Sequence, residues 1–400
     1  MNSIREIYRI GYGPSSSHTM GPRKAADQFK QKNKGMAFCR VNLYGSLAAT
    51  GKGHLTDIAI IEALQPIKTE VLWFAEKELP YHPNGMLFEA FDDQNKLIDS
   101  WEVYSVGGGA LYETGQAESQ KVYTFDSMHD ILNHLHKTGQ TFWEYVEECE
   151  GKEIWDYLAE VWKSMQNAVE RGLDNEGLLP GCLHLTRKAS QYYTRSQGFS
   201  GTLKKKTMLF SYALAVSEEN AGGGQVVTAP TCGSCGVLPA VLYHIHKDYE
   251  MNDTRILRAL ATAGVVGNLV KKNASISGAE VGCQGEIGTA CAMAAAAATK
   301  LFGGTPMQIE YAAEMGIEHH LGLTCDPICG LVQIPCIERN AFAAARALDA
   351  SAFAILSDGQ HHISFDKIIA TMKQTGHDLP SIYRETSIGG LAAFGNDDDN

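Results

Sequence analysis

The chain has 400 residues, 44% of them hydrophobic and 20% charged, which is the balance of a soluble globular protein with two or three domains. Its formal net charge of −12 argues against nucleic acid as a main partner, because proteins that bind nucleic acid present a basic face. The longest apolar run, residues 256–270, is interrupted by Arg258 and Asn268, so we expect no membrane-spanning segment.

The cysteines are unevenly distributed along the chain. Seven of the ten lie between Cys232 and Cys336, and the charged N-terminus has too short an apolar stretch for a signal peptide. In a reducing compartment, thiols serve metals or chemistry and do not form structural disulfides. We therefore expect a cytoplasmic protein whose cysteine chemistry lies in its C-terminal half.

The first informative stretch, residues 11–22, reads GYGPSSSHTMGP. Its Gly, Pro and Ser residues predict a turn, and the residues that follow Pro22 have helical spacing. Ser15, Ser16 and Ser17 would then lie near a helix N-terminus, where hydroxyl and N–H groups suit a carboxylate or phosphate; a capped loop without a ligand is the alternative. His18 in a rigid polar turn is a usable acid or base.

Residues 37–47 have the alternation of a strand, and a glycine-rich stretch, ATGKGHLTD, follows at residues 49–57. This stretch lacks the spacing of a Walker loop. His54 and Asp57 fit either a base with its orienting partner or a capping pair before a helix over residues 58–64. Further strands are predicted over residues 70–76, 86–92 and 97–106. Residues 1–150 are therefore predicted to form an α+β domain with a mixed sheet.

Helical patterns dominate the rest of the chain. Helices are predicted over residues 127–136 and 142–169, and we interpret residues 151–184 as a helical connection between domains. Residues 185–400 are predicted to form an all-α domain. Its predicted helices span residues 204–219, 237–246, 254–272, 291–301, 307–319 and 341–355.

Two loops of this domain allow more than one interpretation. Residues 220–225, NAGGGQ, resemble a phosphate-binding loop of a pyridoxal-phosphate enzyme, but such an enzyme needs a Schiff-base lysine in a suitable loop, and the lysines of this domain cluster on helix faces. Cys232 and Cys235 form a Cys-x-x-Cys pair, which is typical of a redox pair or half of a zinc site. No second pair completes a zinc site, so we interpret this loop, with Thr231, as a turn on the substrate side.

Three other cysteines lie in loops rich in Gly and Pro. Cys283 is flanked by Gly282 and Gln284, Cys325 precedes Asp326-Pro327, and Cys336 follows Pro335. Such neighbours let the backbone approach a bulky inorganic group, and thiolates favour soft metals and iron–sulfur clusters. The hypothesis is a [4Fe–4S] cluster held by three thiolates with one iron open. The alternative is that these cysteines are small core residues, which we expect for Cys291.

Six motifs together resemble those of the iron–sulfur-dependent L-serine dehydratases, or L-serine ammonia-lyases. They are, in chain order, GPSSSHTMGP, ATGKGH, SVGGG, VVTAPT, GAEVGCQGEIG and LTCDP…GLVQIPCIERNAF. The resemblance runs from about residue 4 to about residue 393 and covers the β and α domains of that family, fused in one chain. It implies an ACT-like core in the N-terminal domain.

The resemblance also assigns roles to residues. It implies that Cys283, Cys325 and Cys336 hold the cluster and that His18 and His54 are the histidines of the site. This chain departs from the family's better-known members, whose terminal cysteine caps the open iron, because no cysteine follows Cys336. This chain also has cysteines at three positions where many members of the family have other residues, namely Cys232, Cys235 and Cys329. That one of these thiols replaces the tail cysteine is speculation.

The implied reaction is the dehydration and deamination of L-serine to pyruvate and ammonia, with the open iron as a Lewis acid and without pyridoxal phosphate. We favour His54 as the base that removes the Cα proton, with His18 orienting the substrate or sharing proton transfer. The remaining predicted site residues bind the substrate carboxylate or ammonium. They are Ser15, Ser16, Ser17 and Thr231.

Two other functions stay open from the sequence. One is a cluster-dependent lyase acting on L-threonine or L-cysteine, and the other is a non-catalytic iron–sulfur metabolite sensor. The absence of a DNA-binding motif argues against the sensor, which would also not need His18 and His54 in rigid polar turns. We expect L-serine as the small-molecule partner, neither nucleic acid nor membrane as a partner, and a homodimer or other homo-oligomer.

Overall fold

A mixed sheet forms the N-terminal part of the computed structural model, which describes residues 1–113, 121–386 and 389–394. The sheet has the strand order β3-β2-β4-β5-β6, parallel between β2 and β3 and antiparallel elsewhere. The four longer strands were all predicted from the sequence. The elements are β1 (Ile10–Tyr12), α1 (Gly21–Lys32), β2 (Phe38–Tyr44), α2 (Gly45–Thr50), α3 (Thr56–Leu64), β3 (Lys68–Phe74), β4 (Gly85–Phe91), β5 (Leu97–Ser105) and β6 (Leu111–Tyr112).

The sheet buries one face beneath α1 and α3. Val41 of β2, Phe88 of β4 and Val103 of β5 are fully buried and pack with Phe29 of α1 and Ile60 of α3. Alternate strand residues point to opposite faces, so this single apolar face is enough to form a small core. The prediction of an α+β domain is confirmed.

The rest of the described chain is mostly helical, as predicted. Its helices and its one short strand are α4 (Met128–Thr138), α5 (Phe142–Glu150), α6 (Ile154–Asp174), α7 (Ala189–Ser196), α8 (Gly201–Ala221), β7 (Gln225–Val227), α9 (Val237–Asp248), α10 (Asp253–Asn273), α11 (Gly278–Val281), α12 (Thr289–Leu301), α13 (Pro306–Glu318), α14 (Cys336–Leu356) and α15 (Phe365–Asp378). α12 is central, and its residues Ala294–Ala298 are fully buried against the surrounding helices. Small side chains allow that close approach.

One prediction about an element was wrong. The single helix predicted over residues 142–169 is two helices, because Gly151 at φ 77° ends α5 and lies before α6. The predicted helical character of the C-terminal domain is confirmed, and within it the three-residue β7 pairs antiparallel with β1 from the start of the chain.

The β1–β7 pairing fixes the N-terminal segment on the helical domain. Ile10 lies opposite Val227 in this ladder. Just beyond it, Asn220 Nδ2 donates to the carbonyl of Pro14 at 2.8 Å, and Gly13 lies so close to Asn220 that a Cβ would be 2.2 Å from its carbonyl oxygen. The turn over residues 13–20 therefore rests on the helical domain. Within the described ranges, no helix is both long and apolar enough to cross a bilayer.

Candidate active site

The serine-rich turn leads directly into α1. Ser15 is extended and its Oγ accepts from the backbone N–H of His18 at 3.0 Å, and residues Ser16–Met20 form one π-helical turn before the helix. Ser17 Oγ lies 3.0 Å from His18 Nδ1. All three serines are buried. The turn is thus capped by its own side chains and presents His18 inward.

Two histidine rings meet at the base of this turn. The ring centroids of His18 and His54 are 4.5 Å apart, and both side chains are buried. Two threonines fix the turns that carry them, since Thr56 Oγ1 donates to the carbonyl of His18 at 2.6 Å and Thr19 Oγ1 donates to that of His54 at 2.8 Å. The two predicted histidines, 36 positions apart in the chain, therefore lie side by side.

Burial keeps both imidazoles neutral near pH 7. Desolvation lowers the pKa of His18 to about 4. Burial, and then the neighbouring His18, lowers the pKa of His54 well below its usual value. Within the described residues, His54 Nδ1 has no hydrogen-bond partner. Asp57 instead accepts from the N–H of Ile58 in the first turn of α3, which favours the capping interpretation of that carboxylate.

A carboxylate that the sequence did not point to lies against His18. Glu385 Oε1 is 3.2 Å from His18 Nδ1, and Glu385 has a positive φ of 48°. Burial raises the pKa of Glu385 to about 7, and the nearby Cys283 also raises it. The residue is brought here by a backbone bridge between Arg384 and Cys325. Glu385 therefore stands between the histidines and the cysteines.

The three predicted cysteines are buried and free. Cys283 precedes a π-helical turn over Gln284–Gly288, Cys325 lies in the loop after α13, and Cys336 is the first residue of α14. The sulfurs of Cys283 and Cys325 and a carboxylate oxygen of Glu286 lie within 4.8 Å of one another. Burial, followed by the charge of Cys283, raises the pKa of the Cys336 thiol.

Arg339 lies one turn into α14 and holds the loop that carries Cys325. Its Nη1 donates to the carbonyl of Thr324 at 2.6 Å, and its Nη2 is 3.7 Å from Asp326 Oδ1. Burial works to lower the pKa of Arg339, but the adjacent Cys283 and Cys336 overcome this and raise it. A permanent positive charge beside the sulfurs favours their thiolate form.

Glu286 lies beside Cys283, with its Oε2 3.8 Å from Cys283 Sγ, and is hydrogen-bonded to Thr231. Burial, and then Glu385, raises the pKa of Glu286 to about 7, whereas a hydrogen bond with Thr231 acts in the opposite direction. Gly278 borders the same space, since a Cβ there would lie 3.0 Å from Cys325 Sγ and 3.1 Å from Glu286 Oε2. Only glycine leaves this space open.

The residues fit a soft metal group. The donor set is three buried, free thiols with a carboxylate beside two of them and a guanidinium nearby. Thiolates are the ligands that iron–sulfur clusters take in proteins. A metal group that binds thiols displaces their protons, which is the usual coupling between metal binding and pKa.

The three cysteines that depart from the family pattern differ in their bonding. Cys329 forms a disulfide with Cys182, so it is not available as a free thiol, and the expectation that thiols here do not form disulfides is wrong at this pair. Cys232 and Cys235 are buried and free, and Cys232 Sγ lies 3.7 Å from Met20 Sδ. Residues 395–400, which end the chain beyond Cys336, lie outside the described residues.

The loop at residues 220–225 is occupied by its own side chains. Glu219 accepts hydrogen bonds from Arg171 at 3.1 Å, Arg187 at 3.0 Å and Asn175 at 2.6 Å. Asn220 binds Pro14 as described above. This network gives the end of α8 and the start of the glycine-rich loop a structural role in holding the N-terminal turn.

Sequence reasoning missed Glu286, Glu385 and Arg339. A signal existed for Glu286, which lies three residues after Cys283 in the same turn, and for Arg339, which lies three residues after Cys336 at the start of a helix. For Glu385 no local pattern exists, because its position depends on the return of the chain beside Cys325.

Comparisons with known proteins give a consistent result over almost the whole chain. Residues 73–392 match the family model of the serine dehydratase alpha chain, and residues 3–71 match that of the serine dehydratase beta chain. The chain is 41% identical to L-serine dehydratase 1 of Escherichia coli, covering 98% of this chain and 99% of the relative. It is 40% identical to L-serine dehydratase of Streptomyces coelicolor and 38% identical to that of Helicobacter pylori, in each case over 98% of both chains.

Proposed function

The chain belongs to the serine dehydratase family, with the beta-chain and alpha-chain segments in one polypeptide, and we propose from this premise that it is an L-serine ammonia-lyase. The reaction converts L-serine into pyruvate and ammonia. The observation that carries the proposal is that Glu385 lies against His18 of the buried histidine pair and near Cys283, which is one of three buried free thiols.

Cys283, Cys325 and Cys336 are proposed to hold a [4Fe–4S] cluster. When bound, such a cluster would supply a Lewis acid for the substrate hydroxyl and carboxylate, which would make the hydroxyl a better leaving group. The support is the donor set itself, together with the open space at Gly278 and the positive charge of Arg339.

His54 is proposed as the base that takes the Cα proton of serine. It is neutral at pH 7 and its Nδ1 is unpartnered within the described residues, so it has a free lone pair or a free N–H to offer. His18, packed beside it and paired with Glu385, is proposed to orient the substrate or to share proton transfer. Loss of water gives aminoacrylate, which tautomerises to the imine and hydrolyses to pyruvate and ammonia.

The hydroxyls of the two loops are proposed to bind the substrate carboxylate or ammonium. Each hydroxyl can donate and accept, so the bonds that Ser15 and Ser17 make within the turn do not exhaust them. The bond between Thr231 and Ser234, at 3.1 Å, leaves Thr231 similar capacity. The proposed substrate-binding residues are Ser15, Ser16, Ser17 and Thr231.

We also propose that the enzyme is located in the cytoplasm.

The test is an absorption spectrum of protein purified without oxygen, with pyruvate formation from L-serine followed before and after exposure to air. We expect broad visible absorbance that bleaches together with activity. A colourless protein that still forms pyruvate would overturn the cluster. A coloured protein that is inactive on L-serine would overturn the proposal that L-serine is the substrate. The kcat/KM values for L-threonine and L-cysteine would then be compared.

A further inference from the structure

One face of α14 is exposed and strongly apolar. Phe342 is 70% exposed, Phe353 61% and Leu356 89%, and Arg346 and Asp349 between them are also exposed. At 100° per residue these five positions fall within an arc of about 80°. We call this set the α14 face. Large apolar side chains scattered singly are ordinary, but three along one exposed stripe indicate a contact surface.

Four of the five residues of the α14 face are placed symmetrically about one point of the helix, with opposite charges at the centre, and Leu356 has no counterpart. Phe342 and Phe353 are equally distant from the midpoint between Ala347 and Leu348, and so are Arg346 and Asp349. A two-fold axis through that midpoint sets two copies of the helix antiparallel. Each phenylalanine then meets its counterpart, and each arginine meets an aspartate. A self-complementary patch of this kind is what a two-fold interface requires.

A groove beside the α14 face gives the aromatic rings a place to bind. A cavity of about 360 Å³ lies between α13 and α14 and is bordered by Tyr311, Met315, Asp349 and Phe353. In the antiparallel arrangement, Phe342 of the second copy approaches Phe353, at the mouth of this cavity. The cavity has room for a phenyl side chain, and such an insertion is the kind of buried aromatic anchor that dominates binding energy.

The two central charges are available for contacts between copies. Within the described part of the chain, neither Arg346 nor Asp349 forms an ion pair within 4.0 Å, although other exposed charges do, such as Lys188 with Glu338 at 3.6 Å. Surface ion pairs contribute little affinity, but opposed like charges disfavour a wrong register. The phenylalanines would therefore provide most of the affinity between the two copies, and the charges would fix the register of the two helices.

We infer that the α14 face is a two-fold dimer interface, occupied by the same face of a second copy of this chain. A stable dimer usually buries about 800 Å² per partner. A helix of 21 residues is about 31 Å long, so the neighbouring helices must contribute as well. Two such neighbours contact the stripe: the ring centroid of Phe210 in α8 lies 5.6 Å from that of Phe342, and the ring centroid of Tyr311 in α13 lies 6.1 Å from that of Phe353.

The test uses charge reversal and sedimentation velocity of the full chain. We expect the wild type to sediment as a dimer, and Arg346→Asp or Asp349→Arg each to raise the dimer dissociation constant at least tenfold. The double variant Arg346→Asp/Asp349→Arg restores opposite charges at both contacts and should dimerise like the wild type. Circular dichroism checks that each variant is folded.

A mixing experiment separates the proposed pairing from a general loss of stability. An equimolar mixture of the two single variants should form a mixed dimer. The aspartate introduced at position 346 of one chain would then face the arginine introduced at position 349 of the other, and the unchanged Asp349 and Arg346 would face each other. A monomeric wild type, or single variants that dimerise normally, would overturn the interface. Failure of both the double variant and the mixture to recover dimers would overturn the antiparallel register.

Discussion

His54 has the chemical state that a general base needs. Its imidazole is buried, neutral at pH 7 and unpartnered at Nδ1 within the described residues, and bases of this kind contribute about 10²–10⁴-fold to rates. We therefore expect His54→Gln to lower kcat by about that factor, while the visible absorbance of the protein is unchanged. The matched control is His129→Gln, since His129 is exposed and its ring Nε2 lies 2.9 Å from Asn133 Nδ2 on the same helix. Near-normal turnover of the His54 variant would remove it from this role.

Glu385 should make the cluster-free protein less stable as pH rises. Its pKa is about 7 in the folded protein against 4.5 in the unfolded chain, so the folded state holds a proton that the unfolded state has lost. This contribution to stability is fully present below pH 4.5 and lost as pH rises through about 7. Glu385→Gln keeps the shape of the protonated carboxyl and cannot ionise.

The unfolding free energy of Glu385→Gln minus that of the wild type should therefore increase from pH 5 to pH 8, by up to about 3 kcal/mol. Urea unfolding of both cluster-free proteins at the two pH values measures this difference. Glu338→Gln is the control, because Glu338 is exposed at the start of the same domain's α14. A gain that does not grow with pH would contradict the raised pKa of Glu385.

At this scale, sequence could predict the residues whose neighbours define their environment. Three glycines, two prolines and three serines within residues 11–22 already indicate a rigid polar turn around His18, and a Gly or Pro lies within two residues of each of the three proposed site cysteines. Sequence could not predict that the rings of His18 and His54 touch, or that Glu385 pairs with His18. Those contacts depend on threonine hydrogen bonds and a backbone bridge between segments far apart in the chain.

Among the elements, the first turn of α14 is tied most closely to the thiols. Arg339 fixes the loop at Thr324 and places a positive charge beside Cys283 and Cys336. We expect Arg339→Gln to contain less iron and sulfide per chain and to bleach faster in air, because both loop rigidity and thiolate character decrease. Arg255→Gln, at an exposed position of α10, is the control. Unchanged iron content and bleaching rate would contradict this role for Arg339.

The Cys182–Cys329 disulfide joins the loop before α7 to the loop that lies between Cys325 and Cys336. A cross-link that closes a long loop stabilises the folded state, typically by about 2–4 kcal/mol. We expect Cys182→Ser and Cys329→Ser to lower the unfolding free energy equally, and the double variant to lower it no further. Urea unfolding with and without reductant measures this.

With reductant present, the wild type and the disulfide variants should unfold alike. Cys149→Ser is the control, because Cys149 is free and only partly buried. A stability difference that persists in reductant would mean that the serines disturb packing and that the disulfide contributes nothing.

Long periodic segments were predictable as elements, and short ones were not. The alternation of β2, β4 and β5 and the helical spacing of α8, α10 and α14 are local properties of the sequence. β1 and β7 have three residues each and exist only because they pair across more than 200 positions. The break at Gly151 was missed because the helical pattern continues on both sides of it.

On the scale of the whole molecule, the proposed site combines residues from the two parts of the chain. His18 and His54 come from the segment that matches the beta chain, and Cys283, Cys325 and Cys336 come from the segment that matches the alpha chain. The first segment alone contributes neutral histidines in a turn, and the second alone contributes buried thiols. Neither segment has both groups. Activity should therefore depend on how closely the N-terminal turn rests on α8.

Gly13 allows a test of this dependence that leaves all the side chains of the site in place. A Cβ at Gly13 would lie 2.2 Å from the carbonyl oxygen of Asn220, so Gly13→Ala must push the turn over residues 13–20 away from the helical domain. We expect kcat to fall because His18 and His54 move away from the thiols, while iron content stays normal because the thiols belong to the other segment. Gly35→Ala is the matched control, since nothing lies within 4 Å of its added Cβ. If Gly13→Ala lost iron as well as activity, the N-terminal turn would be needed to form the thiol site itself. If the variant kept full activity, the distance between the histidines and the thiols would not matter for catalysis, and the proposed role of the histidines would be wrong.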